Sequence, residues 1–329
     1  MQISPPGSQS KRNTDYTNCE AQKERNPCNF LNPCNPWILF VFLLVLCGYL
    51  PLPLSAMDWP TTEGVMVNNF GFNDEGRPVL GAVFEAEGDI SAADNGELLF
   101  SRRSGDRASR LPSPLGAWIA LDHGDGIISI YSRFEDTGGR ELKEPAVAEK
   151  VLRNEPIARA GSSGWSNRKG FYFSLFDRRE RRWVNPSMII TPFPDTRPPQ
   201  VLSVQLKAQD GRLINPSQVR SISQGRYSIS VAATDTRLEP GEAPLAPHRI
   251  VCSVNGTEIG SLNFETYSAR DGVLMVYRNG LFPVQQVYAP LSAFEVGEVW
   301  FTRGQATLEI IAQDIAGNER SAISRLVVE

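Results

Sequence analysis

From residue 57 onward the chain alternates apolar with polar residues in short bursts, each closed by a turn. The runs at 97–100, 117–121, 127–131 and 171–176 read as strands, because side chains of period two fall on opposite faces of a sheet. Asp94-Asn95-Gly96 and Gly124-Asp125-Gly126 lie beside these runs and supply residues that tolerate positive φ. A second series follows at 201–207, 226–232, 249–254, 273–277 and 307–312, with Asn255-Gly256 as a strong hairpin signal. No stretch repeats its apolar residues at helical spacing, so the fold class is all-β. The series within 201–329 suits a β-sandwich, and its closing segment, Gln305 to Asn318, resembles the last hairpin of bacterial immunoglobulin-like modules. Pro192, Pro194, Pro198 and Pro199 separate the two series and leave no room for a continuous ladder. Residues 57–192 and 201–329 are therefore expected to be two domains, joined by an extended linker at 193–200 and folding independently.

The N-terminus carries a different pattern. Residues 37–50 form an uncharged apolar run, followed by Pro-Leu-Pro-Leu and the small pair Ser55-Ala56. Residues 37–56 thus read as a signal peptide or as a membrane anchor. The run is shorter than the roughly 18 residues of a spanning helix, which favours cleavage after Ala56. The polar leader at 1–36, with Lys11, Arg12, Lys23 and Arg25, is long for a signal peptide; the start codon is misassigned, or the run is kept as an anchor. Either way the chain is expected to be exported to the periplasm or cell envelope, touching membrane only through this segment. Cys19, Cys28, Cys34 and Cys47 all precede Ala56, which leaves Cys252 alone and excludes a structural disulfide beyond that point.

Charge and histidine count narrow the chemistry. Lys and Arg total 33 against 37 Asp and Glu, so there is no basic surplus to neutralise a phosphate backbone, and nucleic acid is not an expected partner. A catalytic zinc takes about three protein ligands, most often imidazoles, plus an open water position. The whole chain has two histidines, His123 and His248. No spacing matches a calcium loop, and no serine has an obvious partner base. No cofactor or metal is expected, and no catalytic residue is assigned.

Five blocks in fixed order carry a family likeness: Gly88 to Leu98; Ala117-Trp118-Ile119-Ala120-Leu121-Asp122-His123-Gly124-Asp125-Gly126 with Ile130-Tyr131-Ser132-Arg133-Phe134; Ile157 to Gly164; Gly170-Phe171-Tyr172-Phe173-Ser174-Leu175; and Val184-Asn185-Pro186. Together they resemble the β-sheet core of the lysostaphin-type murein endopeptidases. That family holds zinc through an H-x-x-x-D motif and the second His of H-x-H; the first His of that pair and the His of Y-x-H act on water and oxyanion. By this resemblance the H-x-H positions are Gly170 and Tyr172, the Y-x-H position is Arg133, and the H-x-x-x-D places fall at Val79 and Val83. His123 matches the family's structural His-Gly turn.

The resemblance implies a peptidase-like domain that keeps its groove and lacks its metal chemistry. Arg133 and Tyr172 suit holding a ligand, since guanidinium pairs with carboxylate in bidentate fashion and the phenol offers a ring and one hydroxyl. Trp165, Asn167 and Arg168 precede Tyr172 on a loop expected to close over the ligand. The alternative for the pair is a cation–π contact that merely fills a vacated cavity. Three functions stay open: a non-catalytic binding or regulatory protein whose partner is peptidoglycan or a wall-hydrolase or division protein, a structural envelope spacer, and a residual metalloendopeptidase.

Overall fold

In the computed structural model, residues 57–103, 112–136, 150–236, 243–290 and 292–329 are described. The leader, the 37–56 segment and four of the five cysteines lie outside them. Among the described residues no helix is long and apolar enough to cross a membrane. The main strands of the first half are β1 (Val65–Asn68), β2 (Ala82–Glu85), β3 (Gly96–Arg102), β4 (Ala117–Asp122), β5 (Ile127–Phe134), β6 (Gly170–Asp177) and β7 (Arg182–Val184). Those of the second half are β8 (Gln200–Ala208), β9 (Gly225–Thr234), β10 (Arg249–Val254), β11 (Thr257–Arg270), β12 (Ala293–Phe301), β13 (Gly304–Gln313) and β14 (Glu319–Val328). Among the described residues the protein is all-β apart from one short helical turn at Val284–Val287 and a 3-10 turn at Pro186–Met188.

In the first half the order β3-β4-β5-β6 is antiparallel, with β6 also pairing β2 and β2 pairing β1. One face carries the core: Phe84, Phe171, Phe173, Tyr131, Ile119 and Leu121 are buried together. In the second half two sheets enclose another core. Leu206, Tyr227, Ile229, Val231 and Phe294 come from β8, β9 and β12, and face Ile250, Cys252, Leu262, Phe264, Leu308 and Ile310 from β10, β11 and β13. The Asn255-Gly256 turn has φ of 50° and 78°, as a two-residue hairpin turn of mirror type requires.

The two halves are joined by more than the proline-rich segment. β7 pairs antiparallel with β11 through Arg182↔Ser268, Trp183↔Tyr267 and Val184↔Thr266, so one 15-stranded sheet runs through both halves. Asn185 secures the join: its backbone N–H donates to Glu265 O at 2.9 Å and its side-chain amide to Phe264 O at 2.9 Å. The prolines around 193–200 prevent a ladder, but their neighbours are fastened. Phe193 stacks on Trp59 with centroids 5.2 Å apart, Trp59 Nε1 donates to Thr191 O at 2.9 Å, and Asn318 Nδ2 donates to Asp195 O at 3.2 Å.

A second clamp comes from residues 69–81. Phe70, 1% exposed, leaves the first half and sits in the core of the second, with its ring 5.1 Å from that of Tyr267. Gly71 has φ +86°, and a Cβ there would lie 2.6 Å from the Phe264 ring, so the backbone approaches as only glycine permits. Asn69 exchanges two hydrogen bonds with the backbone of Ala246, and Asn73 Nδ2 donates to Ala289 O and Ala293 O, both at 2.9 Å. Tyr288 donates its hydroxyl to Gly71 O at 2.8 Å. All described residues accordingly belong to one compact unit.

Removing the Phe70 ring should cost about 3–5 kcal/mol, the range for emptying a buried aromatic site. Phe70→Ala is expected to lower the denaturation midpoint of both halves together, in a single transition followed by the tryptophans of either half. Two transitions, one of them unmoved by the substitution, would show the halves to be separable.

Candidate functional site

Strand register aligns a row of side chains on the face of the first sheet opposite its core. Asn68 pairs with Val83, Val83 with Tyr172, Tyr172 with Ser132, Ser132 with Trp118, and Trp118 with Arg102. Directly opposed residues point to the same face, so the row crosses β1, β2, β6, β5, β4 and β3 as a continuous floor. Phe100 joins it by stacking on Trp118 at 4.4 Å between centroids.

Arg133 stands over this floor because β5 bulges there. Its neighbours Ser132 and Phe134 pair with Trp118 and Ala117 in turn, which leaves Arg133 as the extra residue, with φ +68° and its N–H donated to Leu115 O at 2.9 Å. A bulge re-aims one side chain, and here the guanidinium carbon lies 5.3 Å from the centre of the Tyr172 ring. Arg133 Nε is buried with no hydrogen-bond partner among the described residues, and the Ser132 hydroxyl is in the same condition. Burial raises the Tyr172 hydroxyl well above its ordinary pKa, against the opposing pull of the Arg133 charge and of hydrogen bonds from Ser174 and the Leu80 backbone.

The sequence candidates separate here. Arg133 and Tyr172 are brought together. Arg168 is at the rim, in an ion pair with Glu85 next to the Lys169–Glu87 pair at 3.5 Å, along an open cleft of about 540 Å³. Such exposed pairs contribute little to stability. Trp165, 75% exposed, and Asn167, also exposed, lie on the loop before β6, which is fastened through Trp165 N–H to Pro114 O at 3.1 Å. Sequence reading passed over Trp118, Ser132, Arg102 and Phe100. The alternation in 117–121 already set Trp118 opposite the core, but which strands lie side by side is needed to see the row.

Gly170 occupies an unusually closed place. It exchanges backbone hydrogen bonds with Gly161 at 2.7 and 2.8 Å while β2 lies on its other side, and a Cβ on Gly170 would stand 1.8 Å from Phe84 O. No side chain fits there without backbone movement.

Both imidazoles lie off the row. His123 Nδ1 donates to Asn95 O at 2.8 Å, since a carbonyl only accepts, and Nε2 lies 2.7 Å from Ser129 Oγ. Ser129 Oγ lies 3.1 Å from the Tyr131 hydroxyl, which accepts from Ala93 N–H at 2.8 Å and whose pKa burial pushes up to about 12. Ser129 is fully buried, so this chain ties the turn to the sheet and offers no nucleophile. His248 is in the second half; burial lowers its pKa, against the pull of Glu265 and Asp314.

One carboxylate cluster escaped the sequence reading, because its members come from three separate segments. Asp195, Asp235 and Asp314 place ligand-capable oxygens within 4.8 Å of one another, beside a small cavity that His248 also lines. Asp314 accepts from Asn318 N and Nδ2 at 2.8 and 2.7 Å.

Comparison with known proteins adds the following. A protein-family model matches residues 198–329. No curated protein matches the chain. Among solved structures, the chain is similar to a mutant catalytic domain of the prophage-encoded M23 protein EnpA from Enterococcus faecalis, at 18% identity over 37% of this chain and 88% of that one, TM-score 0.31. It is similar to the SpoIIQ-SpoIIIAH pore-forming complex at 15% identity, covering 41% and 90%, TM-score 0.31. It is also similar to the catalytic domain of lysostaphin from Staphylococcus simulans at 17% identity, covering 35% and 79%, TM-score 0.27. Likeness at this level leaves function to the residues of this chain.

The histidine bridge predicts a structural penalty. His123→Ala leaves the buried Ser129 hydroxyl without its imidazole partner, and should destabilise the chain by about 1–3 kcal/mol in chemical denaturation. An unchanged midpoint would show that the bridge holds nothing.

Proposed function

We propose that the protein is a non-catalytic cell-envelope protein in which a lysostaphin-type, peptidase-like domain without its metal binds peptidoglycan or regulates wall hydrolases, followed by an immunoglobulin-like sandwich. The observation that carries this reading is the Arg133–Tyr172 pair on the sheet floor, flanked by Trp118, Phe100 and Ser132. A guanidinium over a tyrosine ring and a stacked aromatic pair on the same face offer charge and aromatic surface to an extended peptide bearing carboxylates. Against hydrolysis stand the residue types. Val83 and Tyr172 lie side by side where the resemblance puts metal ligands, Gly170 admits no side chain where it puts an imidazole, and His123 is engaged elsewhere. The spacer reading draws on the sheet that runs unbroken through both halves and makes them one stiff body.

Purified protein should carry no stoichiometric zinc by elemental analysis and should leave peptidoglycan uncut in a zymogram. Arg133→Ala should weaken binding of wall peptides about ten-fold or more, the equivalent of losing a charge-assisted hydrogen bond of about 1.5–3 kcal/mol. Tyr172→His should restore no hydrolysis. One-to-one zinc with chelator-sensitive cleavage would overturn the reading, and a bound wall partner indifferent to Arg133→Ala and Tyr172→His would turn it to the spacer.

A further inference from the structure

The last strand, β14, has most of one edge open. On its inner side it pairs with β13 along its whole length, from Gly304↔Val328 to Gln313↔Glu319, without a register shift. On its outer side only the end is covered, by Ser221↔Val327 and Ile222↔Val328. Val327 N–H donates outward to Arg220 O and Glu329 N–H to Ile222 O, both at 2.9 Å. Backbone groups alternate direction along a strand, so Glu319, Ser321, Ile323 and Arg325 also turn their N–H and C=O outward. Among the described residues no strand pairs with them. Their side chains share the exposed face, with Ile323 54% exposed, while Leu326 and Val328 on the other face are buried.

An open edge is a template for another strand, and charges on it reject most partners. The geometry points to a second copy of this chain as the partner, paired antiparallel, edge to edge, about a two-fold axis at Ala322. Length is the first reason. The free stretch runs from Glu319, just after the Asp314–Asn318 turn, to Arg325, just before the segment covered by Ser221, and Ala322 is its midpoint. Direction is the second. Hydrogen-bonded pairs must join outward-facing residues to each other, and this axis pairs Glu319 with Arg325 and Ser321 with Ile323. Charge is the third. The axis sets Glu319 of each copy against Arg325 of the other on the exposed face, whereas moving it to Ser321 or Ile323 leaves both charges opposite uncharged residues. Cross-strand pairs of opposite charge on one face are favourable, and like charges there are not. The contact is isologous, so it closes at a dimer and does not propagate into fibres. It uses a surface apart from the Arg133–Tyr172 floor and does not depend on that reading.

Sedimentation velocity of the full chain, reduced and in detergent that solubilises residues 37–50, tests this across a range of protein concentrations. The expected result is a reversible monomer–dimer equilibrium. Glu319→Arg or Arg325→Glu alone should weaken it about ten-fold or more by setting like charges opposite each other, and the double swap should restore it. Ser321→Pro, which removes an outward N–H and leaves the β13 ladder intact, should also weaken it. A chain that stays monomeric at all concentrations, a dimer unaffected by the single swaps, or a double swap that fails to restore association would each overturn the proposal.

Discussion

Three residue pairs, Arg182 to Val184 against Thr266 to Ser268, join two β-structures into one sheet, and the remaining architecture is arranged around that join. A three-residue ladder is too short to hold two domains by itself. It persists because hydrogen bonds from Asn185 continue it and because Phe70 is buried across the boundary. Burying a phenylalanine side chain contributes about 1.5–3 kcal/mol, several times a net hydrogen bond of about 1 kcal/mol. Phe70 is thus the weightier element and the ladder sets direction.

This constraint bears on the candidate site. Residues 69–81, which lead into β2, are anchored in the second half through Asn69, Gly71 and Asn73. Val83, at the start of the floor row, therefore follows a segment whose course the second half dictates. The floor is built as a stiff surface: Tyr172 is paired on both sides, and Arg133 is aimed by a bulge rather than by a mobile loop. Pre-organised groups of this kind favour binding, since little ordering remains to be done when a ligand arrives.

Much of the fold was legible because alternation survives in sequence. The strand runs at 117–121, 127–131, 171–176 and 249–254 match β4, β5, β6 and β10 closely, and the Asn255-Gly256 turn is where it was expected. What sequence could not display was partnership. Pro194 and Pro198 correctly excluded a ladder at the joint, yet the join is made upstream by β7, whose three residues are too few for a periodic signal. Phe70 lies in a turn-rich stretch where an apolar residue has no period to betray its destination. The same limit governs the site. Arg133 and Tyr172 were found through family likeness, whereas Trp118 and Ser132 required the register of three strands, and the meeting of Asp195, Asp235 and Asp314 required the chain path over more than a hundred residues.

The central claim is that the Arg133–Tyr172 floor holds a wall ligand and does not cut it. Hydrogen exchange of the intact chain, with and without soluble wall peptides, addresses it most directly. Binding at the floor should protect amides in β5 and β6 around Arg133 and Tyr172 while the peptides are recovered uncleaved. Protection confined to residues 201–329, or peptides recovered as fragments, would contradict the claim.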